Sequence, residues 1–172
     1  SASAGSATSA DAVRNYAVYA EDVDLDGVLE LPKLISMTPI SQNPEAEKQH
    51  LLRWYSMDVY GNEVNKLCTF HNFSAGWYLL LDSSWADHLT MEQRGNNYTF
   101  YMWNEAYNKV SILFTISEHM GNDREYQATQ NNRFVLHRQE GVTYAAKLET
   151  GSALYGFTED YLITSFRLIQ QD

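Results

Sequence analysis

Residues 76–117, GWYLLLDSSWADHLTMEQRGNNYTFYMWNEAYNKVSILFTIS, constrain the fold most, because they read as three or four consecutive strands joined by turns. In residues 109–117 the apolar side chains Val110, Ile112, Phe114 and Ile116 alternate with Lys109, Ser111, Thr115 and Ser117. That period of two places one face of a sheet on a core. Leu113 is the single break in the alternation. Upstream, Gly95-Asn96-Asn97 is a tight-turn signal that reverses the chain into Tyr98, Phe100 and Met102 on one face and Tyr101 and Trp103 on the other. Residues 77–81 are apolar at almost every position, which predicts a central strand covered on both faces. The segment therefore specifies an antiparallel sheet.

The chain has 172 residues, enough for one domain with a real core plus a small appendage. Cys68 is the only cysteine, so no intrachain disulfide forms. Aromatic residues make up 13% of the chain, a content that suits strands better than helical bundles. The formal net charge is −10 and acidic residues are spread along the chain, with no Lys/Arg stripe. Such a surface repels DNA and RNA and lacks the phosphate contacts that dominate nucleic-acid affinity, which sets that class of partner aside. No run of 18 apolar residues suggests a membrane span, and the first residues lack the charged and apolar regions of a signal peptide.

Three regions are expected along the chain: a flexible linker over residues 1–12, an acidic-loop hairpin over residues 13–42 that reads as the end of a larger upstream region, and an α+β domain over residues 43–172. The linker begins SASAGSATSA, small and polar. In the hairpin, NYAVYA and VLELPKL flank EDVDLDG, with Pro32 marking an edge or a strand end. The run TPISQNP at residues 38–44 marks the boundary; after it, Asn43-Pro44-Glu45 opens either a short helix or the approach to a strand at HLLRWYSM. Residues 51–58 and 64–72 form a hairpin around Tyr60-Gly61-Asn62-Glu63, and Asp82-Ser83-Ser84-Trp85 caps a single turn before Leu89 and Met91 resume the alternation. Residues 118–132 read as a polar loop with one helical turn, and residues 133–138 and 143–149 as a hairpin. Residues 158–170 read as a helix with Thr158 as N-cap, acids in its first turn and a stripe of Leu162, Ile163, Phe166 and Ile169 that docks on a sheet face.

From residue 76 onward this order of features resembles the PsbP-like fold, named for an extrinsic protein of photosystem II and seen also in bacterial lipoproteins. The resemblance rests on YLLLDSSW, the strands TFYMW and SILFTIS, an irregular insert, the hairpin FVLHRQEGVTYAA and a final TSFRL. Asp82 stands where a proline is expected before the Ser-Ser-Trp turn. What the resemblance implies is an antiparallel sheet with helices packed on its faces, preceded here by a calcium-loop hairpin, with no shared catalytic residues and no function supplied by the fold.

Asp22-Val23-Asp24-Leu25-Asp26-Gly27-Val28-Leu29-Glu30 is similar to the DxDxDGxxD calcium loop of FG-GAP and related propeller repeats, with Glu in the last place. Carboxylates at i, i+2 and i+4 converge when the chain curls, Gly27 permits the sharp turn, the Val28 carbonyl can face inward, and Glu30 closes a shell of hard oxygens suited to Ca²⁺. The metal-ligand set expected is Asp22, Asp24, Asp26, Val28 and Glu30, with calcium in a structural role. An EF-hand fits less well, since its twelfth position falls on Lys33 and Pro32 obstructs the exiting helix. The plain alternative is a solvated acidic turn without metal. One such loop cannot close a propeller, so it is a free-standing clip or the end of a longer array.

Elsewhere the chemistry is sparse. The five histidines show neither HxH nor HExxH spacing, which gives zinc little support. Cys68 and His71, three apart in a strand, point to opposite faces. Ser83, Ser84, Asp87 and His88 crowd a turn without a GxSxG elbow, so ordinary turn chemistry explains them. Tyr98, Tyr101, Trp103 and Tyr107, or Trp54, Tyr55 and Tyr60, would form a stacking platform for sugar or peptide if they faced solvent, with core packing as the default. No catalytic residues are expected. The leading expectation is a non-enzymatic binding or structural module of a secreted or cell-surface bacterial protein, lipid-anchored through a preceding segment and contacting a protein, peptide or carbohydrate. Two alternatives are a hydrolase-like enzyme with a carboxylate pocket around His88 or His71, and an intracellular domain that binds a small partner.

Overall fold

The computed structural model describes residues 20–38, 49–104 and 109–169. In chain order the described elements are β1 (Leu31–Ser36), β2 (His50–Met57), β3 (Glu63–Asn72), β4 (Trp77–Leu81), β5 (Leu89–Arg94), β6 (Asn97–Asn104), β7 (Lys109–Met120), α1 (Arg124–Thr129), β8 (Phe134–Gln139), β9 (Val142–Leu148), α2 (Glu159–Ser165) and β10 (Phe166–Leu168). The strands form two five-stranded sheets, ordered β1-β2-β3-β4-β10 and β5-β6-β7-β9-β8. The described residues divide into two compact units, one within residues 20–36, 50–86 and 168–169, the other within residues 37–38, 49, 87–104 and 109–167.

The expected α+β architecture, with helices packed on the faces of one sheet, is overturned. The fold is β-rich: among the described residues two sheets dominate, and the helices span only six and seven residues. Residues 76–117 also do not build one sheet. Asp82 accepts from the Ser84 amide and caps a 3-10 turn at Ser83–Trp85, after which β5 begins the second sheet while β4 stays in the first. At the C-terminal end Thr158 accepts from the Tyr161 amide as the sequence predicts, with Glu159 and Asp160 in the first turn. The helix nonetheless stops at Ser165. Phe166 turns extended (φ −81°, ψ 126°), and the Ile169 amide donates to the Gly76 carbonyl at 2.8 Å. A sheet edge with unpaired backbone groups outcompetes a further helical turn, and Ile163, assigned to the apolar stripe, is 42% exposed.

In the first unit, β2 lies between β1 and β3: β1 runs antiparallel to it with Leu31 opposite Tyr55 and Ser36 opposite His50, and β3 lies on its other side. One face of this sheet carries Trp54 and Leu52, fully or almost fully buried with Val23 from the acidic loop, and flanked by Leu34, Leu67, Phe73 and Leu80. Burying side chains of this size contributes about 1.5–3 kcal/mol each, so Val23 anchors the loop to the sheet. The β2–β3 pairing contains a bulge. Trp54 lies opposite Leu67 and Tyr55 opposite Asn65, which leaves Lys66 as an extra residue with no partner across the ladder.

The second unit has its own core. Phe100 stacks on Phe114 at 4.8 Å between ring centroids, Phe114 meets Phe157 at 4.9 Å, and Tyr144 meets Phe166 at 5.1 Å. A bulge here explains Leu113, the one break in the alternation. Phe100 pairs with Phe114 and Tyr101 with Ile112, so Leu113 is the extra residue, turned into the core and wholly buried. The strand also runs on to Met120, past the expected loop start, and α1 supplies the helical turn. Glu125 of α1 accepts from Thr143 Oγ1 on β9 and from Arg138 Nε on β8.

Candidate metal centre

The acidic loop is built by its own carboxylates. Glu21 and Glu30 exchange backbone hydrogen bonds of 2.9 and 3.0 Å and close the curl at its base. Within it, Asp22 accepts from the amides of Asp26 and Gly27, Asp24 from Asp26, and Asp26 from Val28, all at 2.8–3.2 Å. These bonds replace strand pairing with Asx-type turns. Gly27 sits at φ 88°, where a side chain is disfavoured, and Leu25 at φ 63° takes a left-handed conformation that costs a leucine about 1–2 kcal/mol. The amide bonds to Asp22 and Asp24 hold it there.

The curl brings together one carboxylate oxygen each from Asp22, Asp24 and Glu30, all within 4.8 Å of one another. Glu30 is the decisive member. Its side chain is 0% exposed; Oε2 accepts from the Val23 amide at 3.0 Å, while Oε1 is buried with no hydrogen-bond partner. Burial first, then the charges of Asp24, Asp26 and Asp22, push its carboxyl above the usual range. A buried carboxylate oxygen without a donor, facing two more carboxylates, is costly by itself, and a bound cation would offset that cost. The donors are all hard oxygens, and the acidic group could hold a metal ion.

Asp26, also in the expected set, is not among these three. Asp26 Oδ2 accepts from Lys66 Nζ at 2.6 Å, an ion pair spanning 40 positions of sequence, and this contact with the Val28 amide holds the Asp26 carboxyl below its ordinary value. The Val28 amide donates to Asp26 Oδ1 at 2.8 Å. Lys66 is the residue that sequence reasoning missed. A lysine within a strand reads as a solvated position, and nothing local marks the bulge that re-aims it.

Other candidate groups are placed as follows. His71 is mostly buried, its Nδ1 within 2.8 Å of Thr69 Oγ1, and its ring stacks on Tyr78 at 4.6 Å and on Phe73 at 5.2 Å. Thr69 Oγ1 also accepts from Trp54 Nε1 at 2.8 Å. Burial pushes the His71 pKa down to about 4. His88 lends its carbonyl to the Trp103 amide, and Ser84 Oγ donates to Asp82 as part of the 3-10 cap, in keeping with the turn explanation for residues 83–88. Cys68 is buried and donates to the Asp82 carbonyl. Core packing, the default for these aromatic side chains, holds for Trp54 and Tyr98; Tyr55, Tyr101 and Trp103 are half-buried, and Tyr107 lies outside the described residues. Tyr60 is 87% exposed, beside Val59 at 93%, on the tip of the β2–β3 hairpin.

No protein-family model, curated protein or solved structure matches this chain. Among the described residues no helix is long and apolar enough to cross a membrane.

Proposed function

We propose that the chain is a non-enzymatic binding or structural module of a secreted or cell-surface bacterial protein, with its acidic loop closed by calcium. The observation that carries this reading is the partnerless Glu30 Oε1, sealed from water and set against Asp22 and Asp24. Calcium suits the loop because it accepts six to eight oxygens in adaptable geometry, whereas magnesium demands a near-ideal octahedron. An extracellular setting suits this reading, because millimolar calcium outside cells fills even a weak site. The similarity to FG-GAP loops supports the same reading. Val59 and Tyr60, projecting from a hairpin tip, are apolar groups available to a protein, peptide or carbohydrate partner.

A calcium titration followed by melting temperature and calorimetry tests the proposal. Chelator-treated protein gains thermal stability as calcium is added, by about 2.7 kcal/mol at a hundredfold excess over Kd, and Glu30→Gln loses the response. Identical melting curves with chelator and with millimolar calcium would overturn it.

A further inference from the structure

The β2–β3 bulge and the acidic loop meet at Lys66. In an unbroken strand the residue before Leu67 would face away from the surface on which Val23, Trp54 and Leu67 pack. Because Lys66 is the extra residue of the bulge, opposite neither Trp54 nor Tyr55, its side chain is free of that alternation, and Nζ reaches Asp26 Oδ2. Bulges of this kind re-aim side chains. The carboxylates of Asp24 and Glu30 act on the same ammonium. The loop therefore carries one positive charge of its own, tethered to the sheet, and that charge occupies the one aspartate of the loop motif that stands outside the Asp22, Asp24 and Glu30 cluster.

We infer that Lys66 is the resident counter-ion of the acidic loop and the determinant of its metal affinity: it occupies Asp26 in the metal-free protein and competes with a divalent cation for that carboxylate. The inference rests on the reading that Asp22, Asp24 and Glu30 hold such a cation. Two consequences follow from charge alone. An ammonium a few ångströms from a divalent ion repels it, and Asp26 joins the ion only by releasing Lys66. Lys66 thus steadies the empty loop and weakens its grip on metal, which tunes the site to respond to high cation concentrations. It also favours doubly or triply charged ions over sodium or potassium, whose single charge gains too little to displace a tethered ammonium.

The experiment compares wild type with Lys66→Met, Lys66→Gln and Lys66→Met/Asp26→Asn, titrating the chelator-treated 172-residue chain with Ca²⁺ by calorimetry and recording the metal-free melting temperature. Lys66→Gln keeps a polar tip and supplies the comparison should the methionine variant fold poorly. The expected result is calcium affinity about tenfold tighter in either single variant, the scale of one partly screened unit charge near a divalent ion. A lower metal-free melting temperature accompanies it. The gain disappears in the double variant, where Asp26 no longer offers a carboxylate, so the two substitutions are non-additive. Affinity that is unchanged or weaker in the single variants, with wild type still binding calcium, shows that Lys66 merely staples the loop and overturns the inference alone. Absence of calcium binding in wild type and in both single variants overturns the metal reading together with it.

Discussion

Trp54, Thr69 and His71 show how one hydroxyl serves two ring nitrogens inside a sheet. Thr69, 0% exposed, bridges Trp54 Nε1 and His71 Nδ1, and Tyr78 and Phe73 cover the imidazole. The His71 pKa of about 4 lies well below its ordinary 6.5, so in the folded protein the ring stays neutral where the unfolded chain already binds a proton. Between these two values the unfolded state holds more protons, and stability therefore falls as pH drops from 6.5 to 4, by up to ~3 kcal/mol. Urea denaturation across that window should show the loss, and His71→Phe, which keeps the stack and cannot titrate, should flatten it. A variant with the wild-type slope would place the pH dependence elsewhere. The sequence shows a histidine in a strand and little else; its environment comes from Tyr78 on the next strand and Trp54 on the previous one. At the same scale the acidic loop is the reverse case. Asp22, Asp24 and Glu30 are legible because their convergence follows from local spacing around Gly27, while Lys66 is invisible because its role depends on a partner 40 positions away.

At the scale of elements, strands were more legible than helices. The hairpin of β8 and β9 and the turn between β5 and β6 follow from alternation bounded by Gly141 and Gly95, both at positive φ. Leu113 marked a real irregularity: a break in a period-2 pattern is the trace a bulge leaves when the extra side chain is also apolar. The bulge brings the Ile112 carbonyl close to the chain leaving β9. Gly151 donates to that carbonyl at 2.8 Å, and a Cβ on residue 151 would lie 2.6 Å from the same oxygen. Gly151→Ala should therefore cost about 1–3 kcal/mol, the range for forced overpacking, read as a lower urea midpoint with unchanged slope. An unaffected midpoint would mean that this edge yields without cost. The C-terminal helix was half legible. Its N-cap is a local device and behaves locally, whereas its end is set by the first sheet's need for a strand beside β4.

At the scale of the molecule, the chain passes back and forth between two units, and residues 168 and 169 return to the first. Removing residues 168–172 should accelerate amide hydrogen exchange in β4, whose neighbouring Gly76 carbonyl loses the Ile169 amide, and leave β6, β7 and β9 protected. Equal acceleration in both sheets would contradict the division. Nothing in the sequence announces this route. Residues 76–117 carry an unmistakable strand pattern, yet alternation states only which face is apolar and is silent about which sheet a strand joins. By itself, then, the sequence determined what is set within a few residues: strand periodicity, glycine turns, the Thr158 cap and the carboxylate curl, all governed by backbone sterics and short-range hydrogen bonds. Tertiary structure decided what depends on distant partners: two sheets in place of one, the conversion of 166–168 from helix to strand, the burial of Glu30 and the approach of Lys66 to Asp26. Those outcomes turn on which backbone groups and charges find each other once the chain is compact, and no local pattern encodes that choice.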